Sequence, residues 1–428
     1  MRRASLEPMT DAHSTAAAEP VRTAAADTAT TAAADTETAT PDTETTAAAE
    51  TAAARPRVLV VFGGRSGEHE ISCATAAGIL RAIDRTRWDV LPVGITREGE
   101  WVRVPDDPSL FELKDGRGQS VHAGDTRVTL TEGGAHLLEI TFDRTPDGDL
   151  GTATGVTDLG AVDVVFPLLH GPYGEDGTIQ GLFEMADVRY VGCGVTSSAI
   201  SMDKHLTKTI LREAGIEVGR WELITPTDWD ENPQECMDRV AALGFPVFVK
   251  PCRAGSSIGI TRVEGPEGLP TAVKEARNSD PRVIVEAAIT GREVECGVLK
   301  GATDDRPLTA PLGEIVLPEG TFYDYDSKYI DTDAIGLVCP ADVDAEDSER
   351  IRATAAQTFE ALECEGLARV DFFYDATTHV VTVNEINTMP GFTPFSMYPQ
   401  VWAQAGLDYP ELIDRLLQGA LDRPLGLR

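Results

Sequence analysis

The sequence predicts three successive blocks of mixed α/β and α+β structure behind an unstructured segment. The first block opens with the apolar run at 57–62, which ends in Gly63-Gly64 and precedes a helical pattern over 71–83. A strand, a glycine turn and a helix in this order are typical of an α/β layer domain with a parallel sheet. Strand-like and helical segments then recur, and the runs at 367–374 and 383–391 predict a hairpin near the C-terminus.

Composition and turn residues predict the boundaries between these blocks. They are an Ala/Thr-rich disordered tail at 1–55, an N-terminal α/β domain at 56–195 with an insertion at about 105–158, a central domain at 196–290 and a C-terminal domain at 291–428. The tail holds nineteen Ala and thirteen Thr, no aromatic residue and no apolar periodicity, so it offers no face that would pack on a core. The insertion is rich in Gly and Asp and is predicted to consist mainly of loops.

Apolar periodicity predicts the individual elements. In the first block, a buried strand is expected at 162–169, followed by a turn at 170–177 and a helix. The central block is expected to contain helices at 203–214, 235–243 and 268–277 and strands near 220–224, 246–250, 257–263 and 282–286. The third block is expected to contain strands at 292–300 and 311–317, a loop at 318–338, a helix at 345–362, the hairpin and a last helix at 408–418.

Charge and hydropathy argue against several classes of partner. The net charge is −33, of which residues 1–55 contribute only −5, so the remainder of the chain is strongly acidic. Such acidity disfavours binding to nucleic acid or anionic membranes. The chain has no apolar run of the kind that forms a membrane span or signal peptide, and its seven Cys lack C-x-x-C spacing. These features predict a cytoplasmic protein with reduced thiols.

Three oxygen-bearing side chains of the predicted hairpin form a candidate metal site. Glu385 and Asn387 are two apart in an apolar, β-branched stretch, which places both on one face of a strand. Asp371 lies in the other strand, and the turn at 375–378 would bring it opposite them. Two carboxylates and an amide suit Mg²⁺ bound together with nucleotide phosphates. Taken alone, the same three residues also fit a polar hairpin face that binds no metal.

Two lysines are candidates for binding phosphate. Lys250 ends the strand-like run at 246–250, and the small residues at 253–259 would let backbone N–H groups approach an anion. The alternative is a hairpin turn with a solvent-exposed lysine. Lys204 opens a predicted helix and is either a second phosphate ligand or a surface lysine. Glu286 closes a strand and is either an acceptor for adenine or ribose or an ordinary strand-end carboxylate.

Two glycine-rich segments of the first block suggest further ligand contacts. The segment at 63–72 lacks the G-x-G-x-x-G pattern, and its acidic residues suit a cationic group such as an ammonium better than a pyrophosphate. His170 opens the turn at 170–177, whose glycines suggest backbone held near a ligand. A plain turn residue is the alternative interpretation of His170.

The order of these motifs resembles the D-alanine–D-alanine ligase family of the ATP-grasp superfamily. The resemblance runs from about Arg57 to the last helix and rests on GGRSGEHEIS, HGPYGEDGTIQG, SMDKHLTK, VKPCRAGSSIG, TFYDYDSKY, ARVDFF and NEINTMPGFTPFS. It implies a three-domain ATP-grasp fold whose last two domains are the ATP-grasp subdomains. It also implies a homodimeric enzyme that joins two D-alanines through a D-alanyl phosphate, with ATP as co-substrate, for peptidoglycan synthesis.

The resemblance also implies roles for individual residues. ATP would lie between the central and C-terminal sheets, against Lys204, Lys250, Ser256, Ser257, Glu286, Ile289, Glu293, Phe373 and Asn384. Two Mg²⁺ ions, or Mn²⁺, would be held by Asp371, Glu385 and Asn387. D-Alanine would contact Glu68, Ile71, His170, Ser396 and Met397, and the catalytic set would be Glu68, Ser256, Lys328, Tyr329, Arg369 and Gly391.

The resemblance implies different roles for the members of that catalytic set. Arg369 and the N–H of Gly391 would stabilise the developing oxyanion. Ser256, Tyr329 and Glu68 would form a hydrogen-bonded link that fixes a loop over the site and excludes water.

Two alternatives to dipeptide synthesis remain at this point. A D-alanyl-D-lactate ligase is one, although ester-forming relatives usually lose the loop tyrosine that this chain retains as Tyr329. A catalytically inactive nucleotide-binding protein is the other, and the intact set of Asp371, Glu385 and Asn387 argues against it.

We expect deletion of residues 1–55 to leave turnover and melting temperature essentially unchanged, because the tail offers no apolar face that would pack on the rest of the chain. Thermal melts and phosphate-release assays on the full-length and truncated proteins check this expectation. A melting temperature several degrees lower in the truncated protein would show that the tail packs on the body.

Overall fold

The structure is a computed structural model that describes residues 55–113, 118–316 and 336–426. Its strands are β1 (Arg57–Gly63), β2 (Asp89–Ile95), β3 (Trp101–Arg103), β4 (Thr126–Leu130), β5 (His136–Arg144), β6 (Leu150–Ala161), β7 (Val164–Pro167), β8 (Arg189–Tyr190), β9 (Trp221–Ile224), β10 (Val247–Pro251), β11 (Thr261–Val263), β12 (Val283–Ala287), β13 (Arg292–Lys300), β14 (Leu308–Val316), β15 (Gly336–Val338), β16 (Gly366–Asp375) and β17 (Val380–Asn387).

The helices lie between and after these strands. They are α1 (His69–Ala82), α2 (Thr178–Met185), α3 (Val195–Met202), α4 (Lys204–Glu213), α5 (Pro226–Glu231), α6 (Pro233–Ala241), α7 (Leu269–Ala276), α8 (Ala345–Ala361), α9 (Met397–Gln404) and α10 (Tyr409–Leu421). None of the helices in the described part of the chain combines the length and apolar character that crossing a bilayer requires.

The first sheet has the strand order β3-β2-β1-β7-β8. Strands β2, β1, β7 and β8 run parallel, and β3 pairs antiparallel at the edge. The run Val58, Leu59, Val60, Val61 and Phe62 is fully buried, as expected for a parallel strand that is covered on both faces. The predicted strand, glycine turn and helix at the start of this block are therefore confirmed.

The insertion at 105–158 differs from its prediction as a loop-rich segment. Strands β4, β5 and β6 form an antiparallel sheet that occupies most of residues 126–161. Most of β6 is exposed and consists largely of Gly, Thr and Ala, so it lacks the apolar alternation that usually reveals a strand. Cross-strand backbone hydrogen bonds, which leave little trace in composition, hold this sheet together.

Two antiparallel sheets form the rest of the architecture, with strand orders β11-β10-β12-β9 and β15-β14-β13-β16-β17. The strand predicted at 257–263 begins only at Thr261, because Ser256 and Ser257 adopt left-handed φ values of 50° and 58°. The predicted loop at 318–338 ends in strand β15, and its residues 318–335 lie outside the described part. The domain boundaries remain predictions; the three main sheets draw on residues 57–190, 221–287 and 292–387.

An aromatic cluster joins the first sheet to the segment that follows the β16–β17 hairpin. The ring of Phe392 lies 6.0 Å from that of Phe166 on β7 and 5.8 Å from that of Tyr398 on α9. Tyr409 donates a hydrogen bond to the carbonyl of Phe392 over 2.8 Å. These buried contacts fix the loop between β17 and α9 against the carboxyl end of the first sheet.

Candidate active site

A cleft between the central and third sheets collects most of the residues singled out from the sequence. Its lining comes mainly from β10, β12, β13, β16 and β17 and from the loop after β10. The predicted site residues that line it are Lys204, Lys250, Ser256, Ser257, Glu286, Ile289, Glu293, Arg369, Asp371, Phe373, Asn384 and Glu385. The fold thus brings together side chains from positions 204 to 385.

The β16–β17 pairing places the candidate metal ligands side by side. Asp371 is directly opposite Glu385, and Arg369 is opposite Asn387. The side-chain amide of Asn387 donates to Oδ2 of Asp371 over 2.9 Å. The ladder shifts register between Asp371 and Phe372, and such irregularities re-aim neighbouring side chains. These adjacent carboxylate and amide oxygens fit a hard divalent cation.

Arg369 neutralises part of the negative charge at this site. Its Nε and one terminal nitrogen each donate to a carboxylate oxygen of Asp371 over 2.7 Å. Its guanidinium also lies 3.2 Å from Oε1 of Glu295, a buried residue paired with Asp371 across the sheet. The N–H donors of a guanidinium lie in a fixed plane, so one guanidinium can bind two carboxylates and keep them separated. The position of Glu295 is not predictable from local sequence patterns, because only the pairing of β13 with β16 brings it beside Asp371.

Glu286 is engaged by two lysines at the back of the cleft. Its Oε2 lies 2.6 Å from Nζ of Lys250, and its Oε1 lies 3.0 Å from Nζ of Lys208. Burial alone would raise the pKa of Glu286, but the two ammonium groups lower it to about 2. Burial alone would lower the pKa of Lys250, and Glu286 outweighs this and raises it. Glu286 and Lys250 are therefore both charged at neutral pH, and two lysine side chains contact one carboxylate.

Lys208 is a site residue that sequence analysis missed. It is 3% exposed and follows Lys204 by one turn of α4, so both lysines face the same side of the helix. That i, i+4 spacing was the available signal in the sequence.

Lys204 and the loop after β10 are also held by specific bonds. Nζ of Lys204 donates to the carbonyl of Ala254 over 2.7 Å, and α4 begins at Lys204 with Asp203 as its cap. In the same loop, the hydroxyl of Ser256 donates to Oε1 of Glu68. This bond connects the central block to the start of α1, and two of the three residues of the predicted link are therefore in contact.

His170 and Glu68 lie at the carboxyl end of the first sheet, and both are buried. Nδ1 of His170 is 3.0 Å from the carbonyl of Met389, and its Nε2 is 3.3 Å from the hydroxyl of Thr75. Burial lowers the pKa of His170, so its imidazole is neutral at physiological pH. A neutral ring that donates from Nδ1 to Met389 accepts at Nε2 from Thr75. Both ring nitrogens are thus directed at protein groups.

The other predicted residues that the structure describes do not form part of the cleft lining. Ile71 is half-buried on α1, Gly391 follows the hairpin, and Ser396 immediately precedes α9. The hydroxyl of Ser396 accepts from the N–H of Thr393 over 3.1 Å. Met397 is the first residue of α9, and its side chain is buried in the core, so only its backbone N–H can face a ligand. Lys328 and Tyr329 lie outside the described residues.

We expect Lys208→Met to destabilise the protein by about 1.5–3 kcal/mol, because the buried carboxylate of Glu286 loses one of its two charged partners. The pKa of Glu286 lies below its ordinary 4.5, so its contribution is complete above that value and is lost as the pH falls towards 2. Denaturant unfolding of the parent and the variant should therefore show a constant gap from pH 5 to 7 that narrows below pH 4.5.

The exposed Lys274 on α7 offers a matched control. Lys274→Met should change the free energy of unfolding by less than about 0.5 kcal/mol. An equal effect of the two substitutions would contradict a role for the Lys208–Glu286 pair in stability.

Comparison with known proteins places this architecture among relatives of known activity. Residues 57–193 match the family model of the D-ala D-ala ligase N-terminus, and residues 210–418 match that of the D-ala D-ala ligase C-terminus. The chain is 53% identical over 380 residues to a D-alanine–D-alanine ligase of Kineococcus radiotolerans, covering 87% of this chain and 99% of the relative. It is 50% identical over 377 residues to that of Pseudarthrobacter chlorophenolicus, with coverage of 87% and 96%.

Solved structures give a similar picture. The VanG D-Ala:D-Ser ligase from Enterococcus faecalis superposes with a TM-score of 0.69 at 35% identity, covering 85% of this chain and 98% of that one. The D-alanine-D-alanine ligase from Coxiella burnetii gives a TM-score of 0.68 at 34% identity, with coverage of 86% and 94%. These likenesses confirm the ATP-grasp fold that the sequence predicts.

Proposed function

The chain belongs to the D-alanine–D-alanine ligase family, and we propose that it joins two D-alanines to D-alanyl-D-alanine for peptidoglycan synthesis. The family is ATP-dependent and uses a divalent metal. One observation carries the proposal for this chain: Lys204 and Lys250, the hairpin carboxylates and the loop that makes the Ser256–Glu68 contact meet at one cleft. The alternatives of an ester-forming ligase and of an inactive nucleotide-binding protein are not favoured.

The first step is a phosphoryl transfer. The carboxylate of the first D-alanine attacks the γ-phosphorus of ATP, the bond to the β,γ-bridging oxygen breaks, and ADP leaves. We assign Lys204 and Lys250 to the phosphates, since both lysines line the cleft. Lys208 supports this role, because it contacts Glu286 as Lys250 does, so that two lysine side chains share one carboxylate. We assign the adenine and ribose to the end of the cleft lined by Ile289 and Glu293.

Asp371, Glu385 and Asn387 would hold two Mg²⁺ ions, or Mn²⁺ in their place. When bound, the ions supply charge neutralisation and orientation of the phosphates. The contribution of the chain itself is the strand register, which fixes Asp371 opposite Glu385 before any ligand arrives. Arg369, which already binds the carboxylate of Asp371, would add a positive charge next to the transferring group.

The second step forms the peptide bond. The amine of the second D-alanine, having lost a proton, attacks the acyl carbon of D-alanyl phosphate; the C–N bond forms and phosphate leaves. We assign the oxyanion to Arg369 and the N–H of Gly391. Glu68 would bind the ammonium of the first D-alanine, near Ile71 and with His170 orienting the surrounding turn.

The second carboxylate is assigned to Ser396 and the N–H of Met397, where the N-terminus of α9 favours an anion. Lys328 is assigned to the γ-phosphate, and Tyr329 would complete the link with Ser256 and Glu68. We also propose a cytoplasmic homodimer, because ATP is available in that compartment and the family resemblance implies two subunits. Light scattering of the purified protein measures the subunit number.

D-Alanyl-D-alanine should be the dominant product from pH 6 to 9 when D-alanine competes with equimolar D-lactate or D-serine in the presence of ATP and Mg²⁺. The curated relatives at about 50% identity are D-alanine–D-alanine ligases, whereas the D-Ala:D-Ser ligase is more distant at 35%. Mass spectrometry of the separated products checks this expectation. Predominant D-alanyl-D-lactate or D-alanyl-D-serine would overturn the substrate assignment but leave the ATP-grasp chemistry intact.

Glu385→Gln and Asp371→Asn should each lower phosphate release on the order of a hundredfold or more while the protein stays folded, because an amide cannot neutralise cationic charge as a carboxylate does. Coupled phosphate assays at millimolar Mg²⁺ and circular dichroism test both variants. Asp375→Asn is the control: it lies on the same strand, and its carboxylate accepts from the N–H of Thr377 in the hairpin turn. Near-normal turnover of Glu385→Gln would contradict the metal assignment.

A further inference from the structure

One carboxylate of the first block joins it to the loop that follows the metal hairpin. Oε1 of Glu175 accepts from the backbone N–H of Met389 over 3.0 Å, and its Oε2 accepts from the N–H of Gly171 over 2.7 Å. Met389 lies two residues from both Asn387 and Gly391. Glu175 therefore holds the main chain midway between a proposed metal ligand and the proposed oxyanion donor.

A second bond runs between the same two segments in the opposite direction. Nδ1 of His170 donates to the carbonyl of Met389 over 3.0 Å, while the N–H of Met389 donates to Glu175. The backbone N–H and the backbone carbonyl of Met389 are thus both hydrogen-bonded to the turn at 170–177. Residues 171 and 175 are also bonded to each other, since the N–H of Glu175 donates to the carbonyl of Gly171 over 2.9 Å. His170, Gly171 and Glu175 of this turn therefore form a bracket, a hydrogen-bonded unit that holds the backbone of Met389.

This bracket depends on a side chain with two oxygen atoms. Burial and the neighbouring carboxylate of Glu68 raise the pKa of Glu175 to about 8, so ionisation of this side chain is costly, although the N–H groups of Gly171 and Met389 offset part of that cost. A glutamine of nearly the same shape would avoid that cost, but its amide has one acceptor oxygen and one NH₂ donor. A carboxyl group presents an oxygen to each of the two N–H donors of Gly171 and Met389, whereas the NH₂ group of a glutamine cannot accept from either.

We propose that Glu175 is a positioning residue of the ligation: it fixes Met389, and thereby Asn387 and Gly391, against the turn that carries His170. The proposal rests on the proposed function, because it concerns how the oxyanion donor is placed. Glu175 acts through the backbone it holds. Loss of either bond would let the loop at 388–391 shift, and displacements of about 1 Å at a reacting centre can lower a rate by about a hundredfold.

The test compares Glu175→Gln with Asp176→Asn. Asp176 is the neighbouring residue, and its carboxylate accepts from the N–H groups of Tyr173 at 2.9 Å and Thr178 at 3.0 Å, both in the same segment. It therefore shares the type of bond that Glu175 makes but not the link to Met389. Turnover, the KM for ATP and the melting temperature are measured for the full-length parent and both variants.

Glu175→Gln should lower kcat about ten- to a hundredfold while the KM for ATP stays within twofold of the parent, because the residues that line the proposed nucleotide cleft do not include Glu175, Gly171 or Met389. Asp176→Asn should keep kcat within about threefold. Hydrogen exchange followed by mass spectrometry adds a readout that is independent of activity: peptides that contain Met389 should exchange faster in Glu175→Gln and at the parental rate in Asp176→Asn.

Unchanged exchange at Met389 together with unchanged kcat in Glu175→Gln would overturn the proposal. The proposal would also be overturned if Glu175→Gln and Asp176→Asn both raised the KM for ATP and lowered kcat to a similar extent. That pattern would show that either substitution disorders the turn as a whole. If Glu175→Gln fails to fold, Glu175→Asp retains two acceptor oxygens and should show the same split between kcat and KM in a milder form. A parent protein that makes no dipeptide would refute the proposed function, whereas the exchange result would still decide whether Glu175 holds Met389.

Discussion

The antiparallel pairing of β16 with β17 is the constraint on which the rest of the site depends. It sets Asp371 opposite Glu385 and Arg369 opposite Asn387, so one hairpin places four of the proposed site residues. Because side chains alternate along a strand, a slip of one residue would turn these groups to the opposite face. The buried neighbours Val370, Phe372 and Ile386 resist that slip, since it would expose them. Burial of the apolar face of the hairpin therefore determines which polar side chains lie on the opposite face.

Local charge balance explains how an acidic chain can form the proposed site for a polyanionic nucleotide. The chain carries a net charge of −33, yet the cleft contains local groups of opposite sign. At one end, two lysine side chains, Lys208 and Lys250, contact the one carboxylate of Glu286. At the other end, Arg369 binds Asp371 and Glu295, where negative charge predominates and a cation is favoured. The two ends suit phosphates and metal respectively.

Local patterns in the sequence predicted much of this arrangement. Glu385 and Asn387 are two apart in an apolar run, and Lys204 follows a capping Asp, so their placement on a strand and at a helix start was predictable. Glu175 and Glu295 could not be found in this way, because long-range pairing brings each to the site. The β4–β6 sheet was missed for a related reason: its last strand is largely exposed and has no apolar face to reveal it.

The long-range contacts also explain why the first sheet belongs to the site. A ligation of two amino acids requires the acyl carbon, the attacking amine and the oxyanion donors within about 3–3.5 Å of one another. Glu68, the proposed ammonium ligand, lies in the first block, whereas Gly391 follows the hairpin of the third block. The hydroxyl of Ser256 ties Glu68 to the central block, and Met389 ties the hairpin loop to the turn at His170. These two contacts join the three sheets at the proposed reaction site, where the proposed ligands of the two ends of the substrate come from different sheets.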